Sequence, residues 1–565
     1  MPASRPIGAL SAIVAALNFS NPLHAADADY TGYPYFKETP VQREVRMKWW
    51  HEAKFGMFVH WGIYAIPADG EWHMRDKKAP LAQYARLAKE FNPVKFNADG
   101  WMALAQDAGM KYLVITAKHH DGFAMFDSKA SGYNIVAATP FKRDPLKELA
   151  EACPRHGIRF GVYYSGMADW GHPGGGAGGE GHWDKPAQDG DADEYIDKIA
   201  AAQVRELMSN YGPVSEIWFD NDGASGMTPA RANRIFEQVK LQPGIIINPR
   251  LGRGDFNVWE QHVLPLPPEG DLEFCYTVNG AWGYRAKPAK SPEHLIRKLV
   301  DVVSKGGNML LNVGPDAQGQ IPADCAESLR AMGRWLKVNS ESIYATQAGP
   351  FAYVPWGKAT RKASALYLHV FEWPKDRILR VPITNDVTKA ILLSAPENAL
   401  PTRRRDGKVL ISLPAAAPDP IDTVVKLEIV GEPARLDSLG SGGTATALGS
   451  SPGQNKQLGA IPHIDWRLPA GETSGVLELD LLKPEAIGAI RLSVGYDFKK
   501  YSLEYESDGQ WKLLFSGDEI PTDEFVRTFP PVTAQKFRVN ILNRRTLHDG
   551  GRGGQIWSVE LFPPL

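Results

Sequence analysis

Ionisable and aromatic side chains gather at the downstream ends of successive apolar runs. The first run closes on Val59-His60-Trp61-Gly62, the second on Lys118-His119-His120-Asp121-Gly122 and the third on Tyr163-Tyr164-Ser165-Gly166. A fourth closes on Trp218-Phe219-Asp220 and a fifth on Asn248-Pro249-Arg250. These ends offer a carboxylate, imidazoles, phenols, a guanidinium and indole faces, a set able to grip a polar small molecule and to attack or protonate it. Each residue also has a purely structural reading. His60 taken alone is better explained by a hydrogen-bonded core histidine than by a ligand contact. Asp220 suits a helix N-cap as well as a reacting carboxylate. Arg250 is either an ion-pair partner within the fold or a ligand contact, and Trp72, Trp218 and Trp282 are either core or stacking platforms. Adjacent residues on a strand face opposite ways, so His119-His120 suits hydrogen bonds to hydroxyl groups better than joint chelation of a metal. Recurrence is what favours chemistry: one such end means little, and five in succession exceed what a structural scaffold needs.

These ends need elements to hold them. From about residue 45 to 345, short apolar runs alternate with helical patterns. Strands are expected at Phe55–Trp61, Tyr112–Lys118, Arg159–Ser165, Glu216–Asp220, Gly244–Asn248 and Asn308–Val313, rich in β-branched and aromatic residues and bounded by Gly or Pro. Helices are expected at Asp99–Ala108, after an Asn97/Asp99 start signal, and at Asp193–Met208 and Pro292–Ser304. The alternation predicts a parallel sheet closed into a (β/α)8-like barrel, whose site lies at the C-terminal ends of the strands. A doubly wound sheet is the alternative, but no GxGxxG opens a helix. The Gly-rich run GGGAGGEG (174–181) then falls in a loop at the functional end. After about residue 346 helical patterns give way to short alternating strands, interrupted by a Gly/Ser stretch, Leu439–Gly449, that reads as a linker or loop. The chain is thus expected to be multidomain: a barrel over residues 26–345, a β-sandwich over 346–433 and a second β-sandwich over 434–565.

Composition narrows the function classes. The 565 residues carry a formal net charge of −2, so no basic field marks a nucleic-acid or anionic-membrane partner. Three distant cysteines imply no disulfide framework, and the absence of CxxC or HExxH spacing implies neither a dedicated metal site nor a cofactor. Arg5, the apolar stretch Ile7 to Phe19 and Leu23-His24-Ala25 have the form of a signal peptide ending at residue 25, which predicts a secreted or periplasmic protein. No sequence feature specifies an oligomeric state.

Nine segments resemble one family when taken together. FGMFVHWG (55–62), GEW (70–72), KHHDGF (118–123), RFGVYYSG (159–166), EIWFD (216–220), NPR (248–250), GDFNVWE (254–260), AWGY (281–284) and GGNMLLNVGP (306–315) stand in the order found in the α-L-fucosidases of glycoside hydrolase family 29. The resemblance covers roughly residues 45–345 and is specific as a set. It implies a (β/α)8-like barrel and a retaining exo-glycosidase that removes terminal α-L-fucose from fucosylated glycans. It implies Asp220 as nucleophile and Glu260, at the end of the GDFxxxE-like segment, as acid/base. Glu273 is implied to be structural or supporting. Substrate-binding positions fall on His60, Glu71, Trp72, His119, His120, Tyr163, Trp218, Arg250 and Trp282, the last facing the sugar's methyl side. Pro249 and Leu251 replace the Asp and Trp that often flank this Arg, and Leu272 replaces a Trp before the second Glu. The distal segments 477–494 and 529–542 resemble discoidin or galactose-binding-like sandwiches. Retention requires two carboxyls about 5–5.5 Å apart, an ionised one to attack and a protonated one to assist departure. The rival readings are a retaining glycosidase for another sugar, such as galactose, and a non-catalytic glycan-binding protein.

Overall fold

The computed structural model describes residues 29–176, 183–220, 226–261, 270–405, 407–433, 443–448, 456–460, 463–467, 474–494, 498–520, 525–544 and 555–564. The expected leader lies outside them, as does most of the 174–181 Gly-rich run.

Eight parallel strands form the sheet that carries the site. They are β1 (Phe55–Val59), β2 (Tyr112–Lys118), β3 (Arg159–Ser165), β4 (Glu216–Asp220), β5 (Ile246–Ile247), β6 (Asn257–Glu260), β7 (Leu272–Thr277) and β8 (Asn308–Val313). Their order is β5-β4-β3-β2-β1-β8-β7-β6, with β1 pairing both β2 and β8. Every residue of β2, β7 and β8 is buried, as expected of strands with side chains on one face and helices on the other. Phe58, Tyr112, Tyr163, Trp218, Cys275 and Leu310 pack together in the interior. The expected fold class is therefore the one observed, with two strands added, β6 and β7, that the sequence pattern did not disclose.

No ladder joins β5 to β6 among the described residues; Asp255 bridges the seam instead. Its backbone N–H donates to the Ile247 carbonyl at 2.7 Å, and its Oδ2 accepts from the Ile247 N–H at 2.9 Å. Its Oδ1 is held by Arg46 at 2.7 Å and by the Tyr33 hydroxyl at 2.7 Å. Arg46 comes from α1 (Pro40–Ala53), a helix also unread in the sequence although Thr39 and Gln42 make a full capping box ahead of it. The side chain that closes the seam is thus held by a residue of α1.

Caps set the other helices where polar residues precede apolar stripes. Asn97 accepts from the Gly100 N–H at the start of α2 (Ala98–Asp107), Asp144 caps α3 (Pro145–Arg155) and Ser291 caps α6 (Pro292–Ser304). Between α3 and α6 lie α4 (Ala201–Asn210) and α5 (Pro229–Val239). The helix expected over Asp193–Met208 is broken into Ala192–Tyr195, a π-type turn at Ile196–Ala200 and α4. The last barrel helix is α7 (Ala323–Asn339).

The remainder is antiparallel β-structure. A six-stranded sheet and a three-stranded sheet enclose one apolar core built from residues 354–429, and an eight-stranded sheet beyond residue 443 encloses another. Part of the expected linker is a strand instead: Thr444–Leu448 pairs with Gly475–Val494. It also pairs with Lys456–Ala460 on its other side, and alternating Ala and Thr in TATAL are compatible with a pleated strand despite the surrounding glycines. The first β-module is locked onto the barrel by polar contacts. Arg297 on α6 donates to the Ile421 and Phe371 carbonyls at 3.1 and 3.2 Å, and the Trp335 indole on α7 donates to the Asp422 carbonyl at 3.1 Å.

Candidate active site

Asp220 ends β4, and inward-facing positions on that strand recur every second residue, so Glu216, Trp218 and Asp220 share the interior face. Its Oδ2 accepts from the Tyr163 hydroxyl at 2.5 Å and lies 3.4 Å from His120 Nε2. Its Oδ1 accepts from Arg250 Nη1 at 2.6 Å. Burial alone would raise this carboxyl, but Arg250, His120 and Tyr163 outweigh it and hold Asp220 down at about 2. The N-cap alternative is therefore replaced by a strand-end carboxylate that stays ionised.

The chain after β5 aims Arg250. Asn248 zips the strand ends together, its side chain accepting from the Phe219 N–H and donating to the Phe219 carbonyl, both at 2.7 Å. A single 3-10 turn, Pro249–Leu251, follows and stops at Gly252, whose φ of +99° brings its Cα face against the Tyr30 ring, where a Cβ would stand 2.1 Å from the hydroxyl. The Arg250 side chain is 2% exposed and lies 4.8 Å from the centre of the Trp218 ring. Its second terminal nitrogen donates to Glu260 Oε1, the carboxyl that ends β6. One guanidinium fork thus holds the two carboxyl groups singled out in the sequence, a geometry suited to Arg and not to Lys.

The remaining candidates surround this fork. His60 follows β1 and is oriented by Asn312 Oδ1, 2.7 Å from its Nδ1. Burial drives it down to about 4, and burial also lowers His119 and His120, so all three imidazoles are neutral at neutral pH. His119 and His120 do not face opposite ways. β2 ends at Lys118, the alternation stops there, and the two rings lie 4.3 Å apart on one side. One donor atom from each, with one from Asp220, falls within 4.8 Å of the others, a grouping that could hold a metal ion. His120 Nδ1 is 2.6 Å from Ser165 Oγ. Tyr163 stacks on Trp218 at 5.5 Å, His60 contacts Trp282 at 5.2 Å, and Trp72 contacts His120 at 5.0 Å beneath the Arg75 guanidinium. Glu71 is buried, which raises its carboxyl, and its Oε2 accepts from the Gly283 N–H at 2.7 Å beside Trp282.

All eleven candidates therefore meet at the C-terminal mouth. Sequence reasoning missed the residues that aim them: Asn312, Ser165, Asn248 and Asp255. Each lay within a quoted segment, as the polar residue among apolar ones, which was the available signal. Leu251 and Leu272 are buried in the core.

A family model described as Alpha-L-fucosidase matches residues 24–341, more than half of the chain. The chain belongs to the α-L-fucosidase family. It is accordingly a glycoside hydrolase. The tissue α-L-fucosidase of Macaca fascicularis is 31% identical over 415 residues, spanning 66% of this chain and 86% of that protein. Among solved structures, α-L-fucosidase isoenzyme 1 from Paenibacillus thiaminolyticus is 33% identical with a TM-score of 0.64, covering 69% of this chain and 100% of that one. The α-L-fucosidase from Vibrio sp. strain EJY3 is 26% identical with a TM-score of 0.71 and covers 92% of this chain and 98% of its own, β-modules included. A family 29 α-L-fucosidase from Bacteroides thetaiotaomicron, solved as a trapped covalent intermediate with 2-fluoro-fucosyl fluoride, is 29% identical with a TM-score of 0.63 over 68% of this chain and 96% of that one.

Proposed function

We propose that this fucosidase releases terminal α-L-fucose from fucosylated glycans with retention, Asp220 attacking and Glu260 serving as acid/base. The observation that carries the assignment is the Arg250 fork, which keeps Asp220 ionised and brings Glu260 to the same mouth. In the first step an Asp220 oxygen bonds to the anomeric carbon as the bond to the leaving oxygen breaks, and Glu260 gives that oxygen its proton. In the second, water attacks the same carbon, Glu260 takes the water's proton, and Asp220 departs as carboxylate.

His60, Glu71, Trp72, His119, His120, Tyr163, Trp218, Arg250 and Trp282 form the proposed fucose pocket. A neutral imidazole offers one donor and one acceptor, which suits a hydroxyl group. His119 Nδ1 is buried and meets no hydrogen-bond partner among the described residues, so it is assigned to a sugar hydroxyl. Trp282 is assigned to the C6 methyl group. Such a contact is worth only ~1–3 kcal/mol, so slow turnover of galactosides fits the same site.

The barrel is assigned to residues 26–345, with sandwiches over 346–433 and 434–565, the last of the galactose-binding-like type. Export to the periplasm or outside the cell is proposed from the leader pattern; no helix among the described residues is long and apolar enough to cross a membrane. The test is NMR of the first anomer released from an aryl α-L-fucoside. Initial α-L-fucose is expected; initial β-L-fucose contradicts retention.

A further inference from the structure

A second carboxyl pair lies on the barrel floor, apart from the reacting one. Glu216 opens β4 and Glu273 is the second residue of β7; the two side chains face each other within hydrogen-bonding reach and are wholly buried. Glu273 is level with Val258, two residues below Glu260 on the neighbouring strand, or about 7 Å deeper. Its oxygens accept from the Tyr112 hydroxyl at 2.7 Å, the Trp218 indole at 3.1 Å and the Trp50 indole at 3.4 Å. Neither oxygen of Glu216 meets a donor among the described residues, and the group it faces is another carboxyl. Two carboxylates cannot share a dry site, whereas a carboxylic acid and a carboxylate can share one proton. The floor is built for them. A Cβ at Gly56 would stand 2.5 Å from the Tyr112 ring, and one at Gly161 would stand 3.2 Å from the Glu216 Cβ, so the first glycines of FGMFVHWG and RFGVYYSG leave this room.

We propose that Glu216 and Glu273 share one proton, and that the pair is the positioning anchor of Trp218 and, through it, of Tyr163 and Arg250 around Asp220. The path is short. Glu273 holds the Trp218 indole N–H, Tyr163 stacks on that ring and donates to Asp220, and the Arg250 guanidinium lies against the same ring and donates to Asp220 as well. Glu216 supplies the proton: three donors favour the charged form of Glu273, and none favours that of Glu216. The other titratable groups facing the pair are Tyr112 on β2, Cys275 on β7 and, farther off, Asp255. Burial keeps Tyr112 and Cys275 neutral, and Asp255 adds negative charge, which reinforces retention of the shared proton.

Infrared spectroscopy of the full-length protein reads that proton directly, as the C=O stretch of a buried carboxylic acid at neutral pH. Wild type is expected to show the band. Relative to wild type, E216Q is expected to lose the part of the band that belongs to the pair, D220N to keep it, and E273Q to keep it at a shifted frequency, since burial still holds the proton on Glu216. In kinetics on an aryl fucoside, E216Q retains the donor and should hold kcat within about twofold. E273L removes the indole's acceptor and should lower kcat about tenfold with little change in KM, and E273Q, which restores an acceptor, should recover most of it. A wild type without the band, a band unchanged in E216Q, or an E273L enzyme with wild-type kcat overturns the proposal. The kinetic arm rests on Asp220 as the attacking group. The infrared arm does not, so a missing band refutes the floor pair while leaving the nucleophile untouched. If E273L fails to fold, the band and E216Q still decide.

Discussion

The barrel holds two acidic pairs, and one strand contributes to both. β4 starts with Glu216 on the floor and ends with Asp220 at the mouth, about 13 Å away along the strand. At the mouth a guanidinium meets Asp220, so its charge is kept; the floor pair faces indoles, a phenol and its own partner, so a proton is kept. The same residue types give a nucleophile in one place and a structural acid in the other. The difference is whether a cation or only neutral donors complete the shell.

The largest expected effect breaks the mouth alone. Asp220→Gly should lower kcat on the order of 10⁴-fold while the protein still folds and unfolds cooperatively. Azide should rescue it by entering the space the carboxylate vacated, giving a β-fucosyl azide from an α-fucoside. Near-wild-type turnover would remove Asp220 from the mechanism.

Next comes the comparison of glutamates. Glu260→Ala should slow cleavage of natural fucosyl-oligosaccharides by roughly 10²–10⁴-fold, and cleavage of an activated aryl fucoside much less, because a good leaving group needs little protonation. Azide should then speed turnover with retention. Glu273 variants should show no such dependence on the leaving group. If they show it and Glu260→Ala does not, the two pairs exchange roles.

The smallest effect is on stability, and its sign differs between the pairs. The ordinary pKa of Glu216 is 4.5, and burial with the neighbouring Glu273 charge raises it well above that. Folding therefore retains a proton that the unfolded chain releases above about pH 4.5, and stability falls as pH rises, by up to about 1.4 kcal/mol per pH unit. Glu216→Gln removes that loss, so its Tm advantage over wild type should widen from about pH 5 to pH 8. Asp220 is depressed from 3.8 to about 2, so its contribution is present above 3.8 and disappears on acidification toward 2. Asp220→Asn should flatten the acid side and leave the alkaline side alone. Parallel pH profiles for the two variants would contradict the distinction.

What the sequence disclosed follows the same division. The mouth was legible because its residues stand at the ends of long apolar runs, where polar side chains are conspicuous. The strands β6 and β7 were not. β6 is four partly exposed residues, NVWE, with no alternation of burial to betray it. β7 is entirely buried but carries Glu273 in its second position, and a buried Glu argues against a core strand until its partner Glu216, 57 residues earlier, is known. The pairing of His119 and His120 was misread because strand alternation was extended past the end of β2. The helix α1 lacks a strong apolar stripe, and only its capping box announced it.

The central claim is that Asp220 carries the covalent glycosyl group. It is tested most directly by incubating the wild-type enzyme with 2-fluoro-fucosyl fluoride, digesting it and locating the label by tandem mass spectrometry. The label is expected on Asp220 at one equivalent per chain, and Asp220→Gly should take up none. A label on Glu260, Glu273 or any other side chain, or full turnover with no labelled protein, would contradict the account.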